Sequence, residues 1–85
     1  MILFSEPDRI LISPNPTNGQ FTVSNIPFGI KGIELLSISG AKIYQDEVAG
    51  DIYKSRLSGS NLAPGVYILL LKGKGKRIVK ELIIN

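Results

Sequence analysis

The 85-residue sequence contains no cysteine, no histidine and no tryptophan. Without cysteine neither a disulfide framework nor a thiolate metal site can form, so the fold stands on packing alone and the redox compartment is left open. The missing histidine removes the commonest general base and the commonest transition-metal ligand. A Ser-His-Asp triad, a Cys-His pair and the usual zinc ligand sets are thereby excluded, and no catalytic residue, metal or cofactor is expected. Alanine is scarce: the apolar share of 44% comes mostly from Ile, Leu and Val, which favours strands over helices. No leader is expected from the opening residues. Met1 is followed by Ile2, Leu3, Phe4, Ser5, Glu6 and Pro7, with no basic region and no apolar run long enough for a signal peptide or a membrane span.

A chain this short holds one core, and a domain of this size hides only about 60 to 65% of the surface its unfolded form exposes. Little stability is left for strained or desolvated polar sites, which weighs against an enzyme. Residues 1–8 read as a linker or a stretch supplied by cloning, ahead of one domain at residues 9–85. A secreted role would make the chain the C-terminal piece of a longer precursor, with Met1 added by cloning.

The net charge is +3, and five of the ten basic residues, Lys72, Lys74, Lys76, Arg77 and Lys80, fall in one C-terminal stretch. Gly73-Lys74-Gly75-Lys76 has the composition of a phosphate loop, but the Walker spacing is missing and no helix follows to lend its amides. A mobile hairpin loop whose lysines guard an apolar strand against edge pairing accounts for it. Contact with anionic lipid, glycan phosphate or nucleic acid is the alternative. Against nucleic acid, the aromatics Phe4, Phe21, Phe28, Tyr44, Tyr53 and Tyr67 do not interleave with the basic residues. Asp46, Glu47 and Asp51 are close carboxylates, yet neighbours on a strand point to opposite faces, so Asp46 and Glu47 cannot act together. They read as a solvated hairpin edge, with a weak calcium site as the alternative. Asn15-Pro16-Thr17 has proline at the position a glycosylation sequon forbids, and no other Asn fits the pattern.

Along the chain, residues 9–13 form a short apolar run ended by Pro14, which cannot donate to a ladder, and read as an edge strand. Asn18-Gly19 is a strong turn signal. In Gln20-Phe21-Thr22-Val23-Ser24 strict alternation predicts a half-buried strand with Phe21 and Val23 inward. After a loop containing Pro27-Phe28-Gly29 and Lys31-Gly32, Ile33, Leu35, Leu36 and Ile38 predict a central strand, apolar on much of both faces. Ser39-Gly40 turns the chain into a hairpin partner running from Lys42 to Val48. Residues 52–57 give a weaker strand, and Ser58-Gly59-Ser60-Asn61 a polar loop leading into Leu62-Ala63-Pro64-Gly65, read as a turn without a ladder. Residues 66–71 predict a buried strand containing Tyr67, whose hydroxyl needs a place at the rim or a backbone partner. Residues 72–76 read as a flexible charged loop, and residues 77–84 pair back on the preceding strand. About seven short strands at roughly ten-residue spacing, with no helical period, point to an all-β antiparallel sandwich.

Four blocks then occur in a fixed order: Pro14-Asn15-Pro16-Thr17-Asn18-Gly19 ahead of Phe21, Ser39-Gly40-Ala41-Lys42-Ile43, Leu62-Ala63-Pro64-Gly65-Val66-Tyr67, and residues 76–80. This ordered set closely resembles the type A C-terminal sorting domain of the type IX (Por) secretion system over residues 10–85. Gly65 and Tyr67 match the family's Gly-x-Tyr element, and Lys76 with Lys80 its Lys-x-x-x-Lys element. Ser37 and Ser39 stand where the family often has an acidic or other polar turn residue. The resemblance implies an immunoglobulin-like sandwich that serves as the address label of a cargo protein of Bacteroidota. The cargo would lie N-terminal to the domain and pass through the periplasm to the cell surface or medium. Recognition by the outer-membrane translocon and removal by a sortase-like peptidase are implied, with no catalysis by the domain, no nucleic acid and no direct membrane insertion. Gly65, Tyr67, Lys76, Lys80, Glu81, Leu82, Ile83, Ile84 and Asn85 are the implied recognition residues. Pro14, Asn15, Pro16, Asn18, Gly19 and Gly40 are expected to shape turns. The residues leave two alternatives, a fibronectin- or immunoglobulin-like adhesion module and a carbohydrate-binding module, the latter poorly served by the missing tryptophan.

Overall fold

The structure, a computed structural model, describes residues 9–18, 20–57 and 62–85. The readings of residues 1–8, of Gly19 and of the Ser58 to Asn61 loop lie outside the described residues. Seven strands are present: β1 (Leu11–Ser13), β2 (Thr22–Ser24), β3 (Ile30–Leu36), β4 (Lys42–Glu47), β5 (Tyr53–Lys54), β6 (Gly65–Gly73) and β7 (Lys76–Ile84). They form two antiparallel sheets, a three-stranded one in the order β1-β2-β5 and a four-stranded one in the order β4-β3-β6-β7. The chain changes sheet after β2, β4 and β5, which gives the immunoglobulin-like sandwich.

Alternation sends one face of each strand inward. Phe21 and Val23 are buried as the pattern predicts, and Ile33, Leu35, Leu69, Leu71, Leu82 and Ile84 meet them from the other sheet. Each such side chain contributes about 1.5–3 kcal/mol by leaving water. β1 lies at a sheet edge, and β3 is interior, as expected.

Several boundaries differ from the sequence reading. β3 starts at Ile30, so Lys31 and Gly32 belong to the strand, and it stops at Leu36, leaving Ile38 in the turn at 71% exposure. The weaker strand shrinks to Tyr53–Lys54. Gly65 joins the ladder opposite Ile84. The charged loop contracts to Lys74-Gly75, because Lys72 and Gly73 pair with Arg77 and Lys76. The apolar runs are also less buried than read. Val66 and Val79 face solvent, since a sheet in a two-layer sandwich has only one inner face.

Candidate functional site

The first sequence block meets the C-terminal residues that follow the last block. β7 is an edge strand, and alternation turns the amides and carbonyls of its odd-numbered residues away from β6. An unpaired row of this kind invites association with other strands. Here the connector between β1 and β2 covers its C-terminal half. The Asn15 side chain donates to the Glu81 carbonyl (3.3 Å) and accepts from the Ile83 amide (2.9 Å). The Thr17 amide donates to the Ile83 carbonyl (2.8 Å), and the Asn85 amide to the Thr17 carbonyl (2.9 Å), a short parallel bridge. Thr17 itself is 2% exposed and donates its hydroxyl to the Gln20 carbonyl (2.7 Å). Prolines 14 and 16 bracket Asn15 and withhold two amides that would otherwise compete for acceptors. Asn18 accepts from the Gln20 amide at 3.3 Å, an Asx turn that steers the chain into β2.

The other expected residues gather on the same hairpin, apart from Gly40. Gly65 faces Ile84 and Tyr67 faces Leu82 across the β6–β7 ladder. Gly65 has φ of 151°, a conformation L side chains rarely adopt, with open space where a Cβ would stand. Tyr67 is half-buried and its hydroxyl donates to the Ala63 carbonyl at 2.6 Å, tying down the Pro64 turn that leads into β6. Leu82 and Ile84 are core residues, whereas Glu81, Ile83 and Asn85 are exposed. Lys76 and Lys80 share the inward-facing side of β7, and Lys76 Nζ donates to the Phe28 carbonyl at 3.2 Å. Gly40 closes the β3–β4 turn through its amide on the Ser37 carbonyl (2.9 Å), separated from β7 by β6 and β3. Ser37 and Ser39 brace that turn, hydroxyl to hydroxyl at 2.9 Å.

A second cluster was not foreseen. Asp46 is no solvated edge: its Oδ2 accepts from Tyr53 (2.8 Å) and Tyr44 (3.3 Å) and pairs with Arg56 Nε (3.2 Å), while Oδ1 accepts from the Glu47 amide (2.8 Å). The two tyrosine hydroxyls bond each other, and Tyr44 also accepts from the Arg56 amide. This network joins β4 of one sheet to β5 of the other. The Tyr53 hydroxyl first, then the Glu47 amide, hold the Asp46 carboxyl below its ordinary value, against the opposing effect of burial. Burial, then Tyr44 and Asp46, pushes the Tyr53 phenol far above its usual range. On the outer face of the larger sheet, Glu34 sits between Lys72 (2.8 Å) and Lys42 (3.6 Å), and Lys72 chiefly lowers its pKa.

No group of three or more metal-ligating side chains occurs among the described residues. A cleft of about 260 Å³ runs between the loops after β2 and β4, and one of about 230 Å³ lies beside Phe21. Both fall below the roughly 300–1,000 Å³ of ordinary ligand sites.

No curated protein matches the chain. Its fold is similar to part of PorZ, described as an essential bacterial surface component of the type-IX secretion system of Porphyromonas gingivalis. The TM-score is 0.74 at 20% identity over 92% of this chain, which spans 12% of that one. The family model for the secretion system C-terminal sorting domain matches residues 11–85, taking in the clasp of Asn15 and Thr17 and the whole terminal hairpin. The chain therefore belongs to the secretion system C-terminal sorting domains, the signals that direct proteins through type IX secretion to the cell surface or beyond.

Proposed function

We propose that the terminal hairpin, with Asn15 and Thr17 fastened along its edge, is the surface on which the outer-membrane translocon recognises the folded domain. The cargo would precede it in the same polypeptide and reach the periplasm first. A sortase-like peptidase would later separate the two, leaving the domain a substrate and not a catalyst. The observation that carries this reading is the meeting of Asn15 and Thr17 with residues 81–85, more than sixty positions away, through four hydrogen bonds. That clasp gives the C-terminus a defined shape that an unfolded tail would lack. Beside it the outer face of the hairpin offers Val66, Val79 and Ile83, exposed at 39, 60 and 37%, flanked by Arg77 and Glu81. Apolar groups rimmed by charge suit a protein partner.

The test is a reporter fused behind a signal peptide and ahead of residues 1–85, in a bacterium that has the secretion system. The intact fusion should reach the surface or medium. A fusion lacking residues 81–85 should stay in the periplasm, although the loss of Leu82 and Ile84 from the core could by itself cause that. The double variant Val79→Ser/Ile83→Ser, altered only on the exposed face, separates recognition from folding. Retention of this variant in the periplasm with an unchanged melting midpoint is expected. Normal export of it would sink the assigned surface.

A further inference from the structure

The opposite end of the hairpin carries an arrangement that the proposed recognition face shares only at Arg77. Phe28, in the turn between β2 and β3, is 95% exposed, more than any other large apolar side chain among the described residues. Its loop is held against the β6–β7 hairpin. Lys76 donates to the Phe28 carbonyl, and Gly73 approaches so closely that a Cβ there would lie 2.1 Å from the Gly29 carbonyl oxygen. The protruding ring and the hairpin tip thus belong to one firmly packed end of the sandwich.

Cations crowd that end. Lys31, Lys74, Lys76 and Arg77 are exposed, and among the described residues none has a carboxylate within 4 Å, whereas Lys72 is taken by Glu34. Asp51 is the one acidic residue lining the cleft next to Phe28. An apolar ring projecting among unneutralised lysines has the chemistry of a peripheral membrane contact. The ring enters the boundary between headgroups and acyl chains while the lysines meet phosphates. A small soluble anion would leave the ring in water, and a nucleic acid would want several stacking rings instead of one.

We propose that this end of the domain docks on a bilayer surface rich in anionic headgroups, with Phe28 as its apolar anchor and Lys31, Lys74, Lys76 and Arg77 as its electrostatic contacts. The contact is peripheral, with no span. It orients the C-terminal clasp away from the bilayer, because the clasp lies at the other end of β7.

The chain has no tryptophan, so Phe28→Trp creates a single reporter at the anchor. Its emission should shift to the blue on vesicles of phosphatidylcholine with about a third phosphatidylglycerol, and stay unchanged on phosphatidylcholine alone. In sedimentation with the same anionic vesicles, the otherwise native chain should bind. Lys74→Ser and Lys76→Ser should each weaken binding about fivefold, and added salt should weaken it further. Phe28→Ser should weaken binding with the melting midpoint unchanged. Free inorganic phosphate at matched ionic strength should not displace the domain. Unchanged emission on anionic vesicles, equal binding to neutral ones, full binding by Phe28→Ser, or displacement by phosphate would each overturn the proposal.

Discussion

At the scale of single residues, Asp46 joins the sheets through its contacts with Tyr53 and Arg56, and its charge makes that join sensitive to acid. Its folded pKa is depressed, so in the acid range the unfolded chain binds the proton more readily. The stabilisation is fully present above the ordinary value of 3.8 and is lost as pH falls through the lower folded value. Glu34, depressed from 4.5, adds a contribution of the same sign. The melting midpoint should accordingly fall as pH drops from about 5 toward 2. In Asp46→Asn the midpoint at neutral pH should already be lower and the acid-side decline shallower, with the share due to Glu34 remaining. An equally steep decline in the variant, followed by circular dichroism, would count against this assignment. Arg56 should matter less, since its side chain is 80% exposed and surface pairs are worth little.

At the scale of elements, the β6–β7 hairpin is governed by two close approaches of other segments to its backbone. At its tip end, Gly73→Ala would drive a methyl into the Gly29 carbonyl at 2.1 Å. Backbone cannot yield cheaply, so a loss of about 3 kcal/mol or more is expected by chemical denaturation. Lys74→Ala, one residue on and exposed, should stay within about 0.5 kcal/mol. At the other end the Asn15 clasp protects the Ile83 amide, whereas the Val79 amide points outward on the uncovered half of the edge and has no partner among the described residues. Amide exchange should be slow at Ile83 and fast at Val79. Asn15→Ala should speed exchange at Ile83 selectively and cost about 1 kcal/mol.

For the whole molecule, the C-terminal residues are structural and not an appendage. Leu82 and Ile84 are 0 and 2% exposed, and each large core side chain removed costs about 2–5 kcal/mol. Removing residues 81–85 therefore takes away an amount comparable to the roughly 5–15 kcal/mol that stabilises a domain. The truncated chain should lose its cooperative melt by circular dichroism. A retained sharp transition would mean that the core closes without β7. On the recognition surface proposed above, sorting and folding would be written in the same residues, so that only exposed-face substitutions can separate them.

Much of this was legible in the chain. Alternation in residues 20–24 identified Phe21 and Val23 as core, and the absence of histidine and cysteine narrowed the chemistry, because both follow from residue type and local spacing. The ordered blocks carried the family. Sequence could not reveal the role of Thr17 or Asn15 in closing the β7 edge, since their partners lie more than sixty residues away and no local period encodes such a contact. Nor could it show that Asp46 leaves the solvated surface for Tyr53, which depends on how β4 and β5 meet across two sheets. The strands and their inward faces were set by neighbours along the chain. Which edge is covered, which carboxylate is engaged and which ring is left bare were decided only when the two sheets packed.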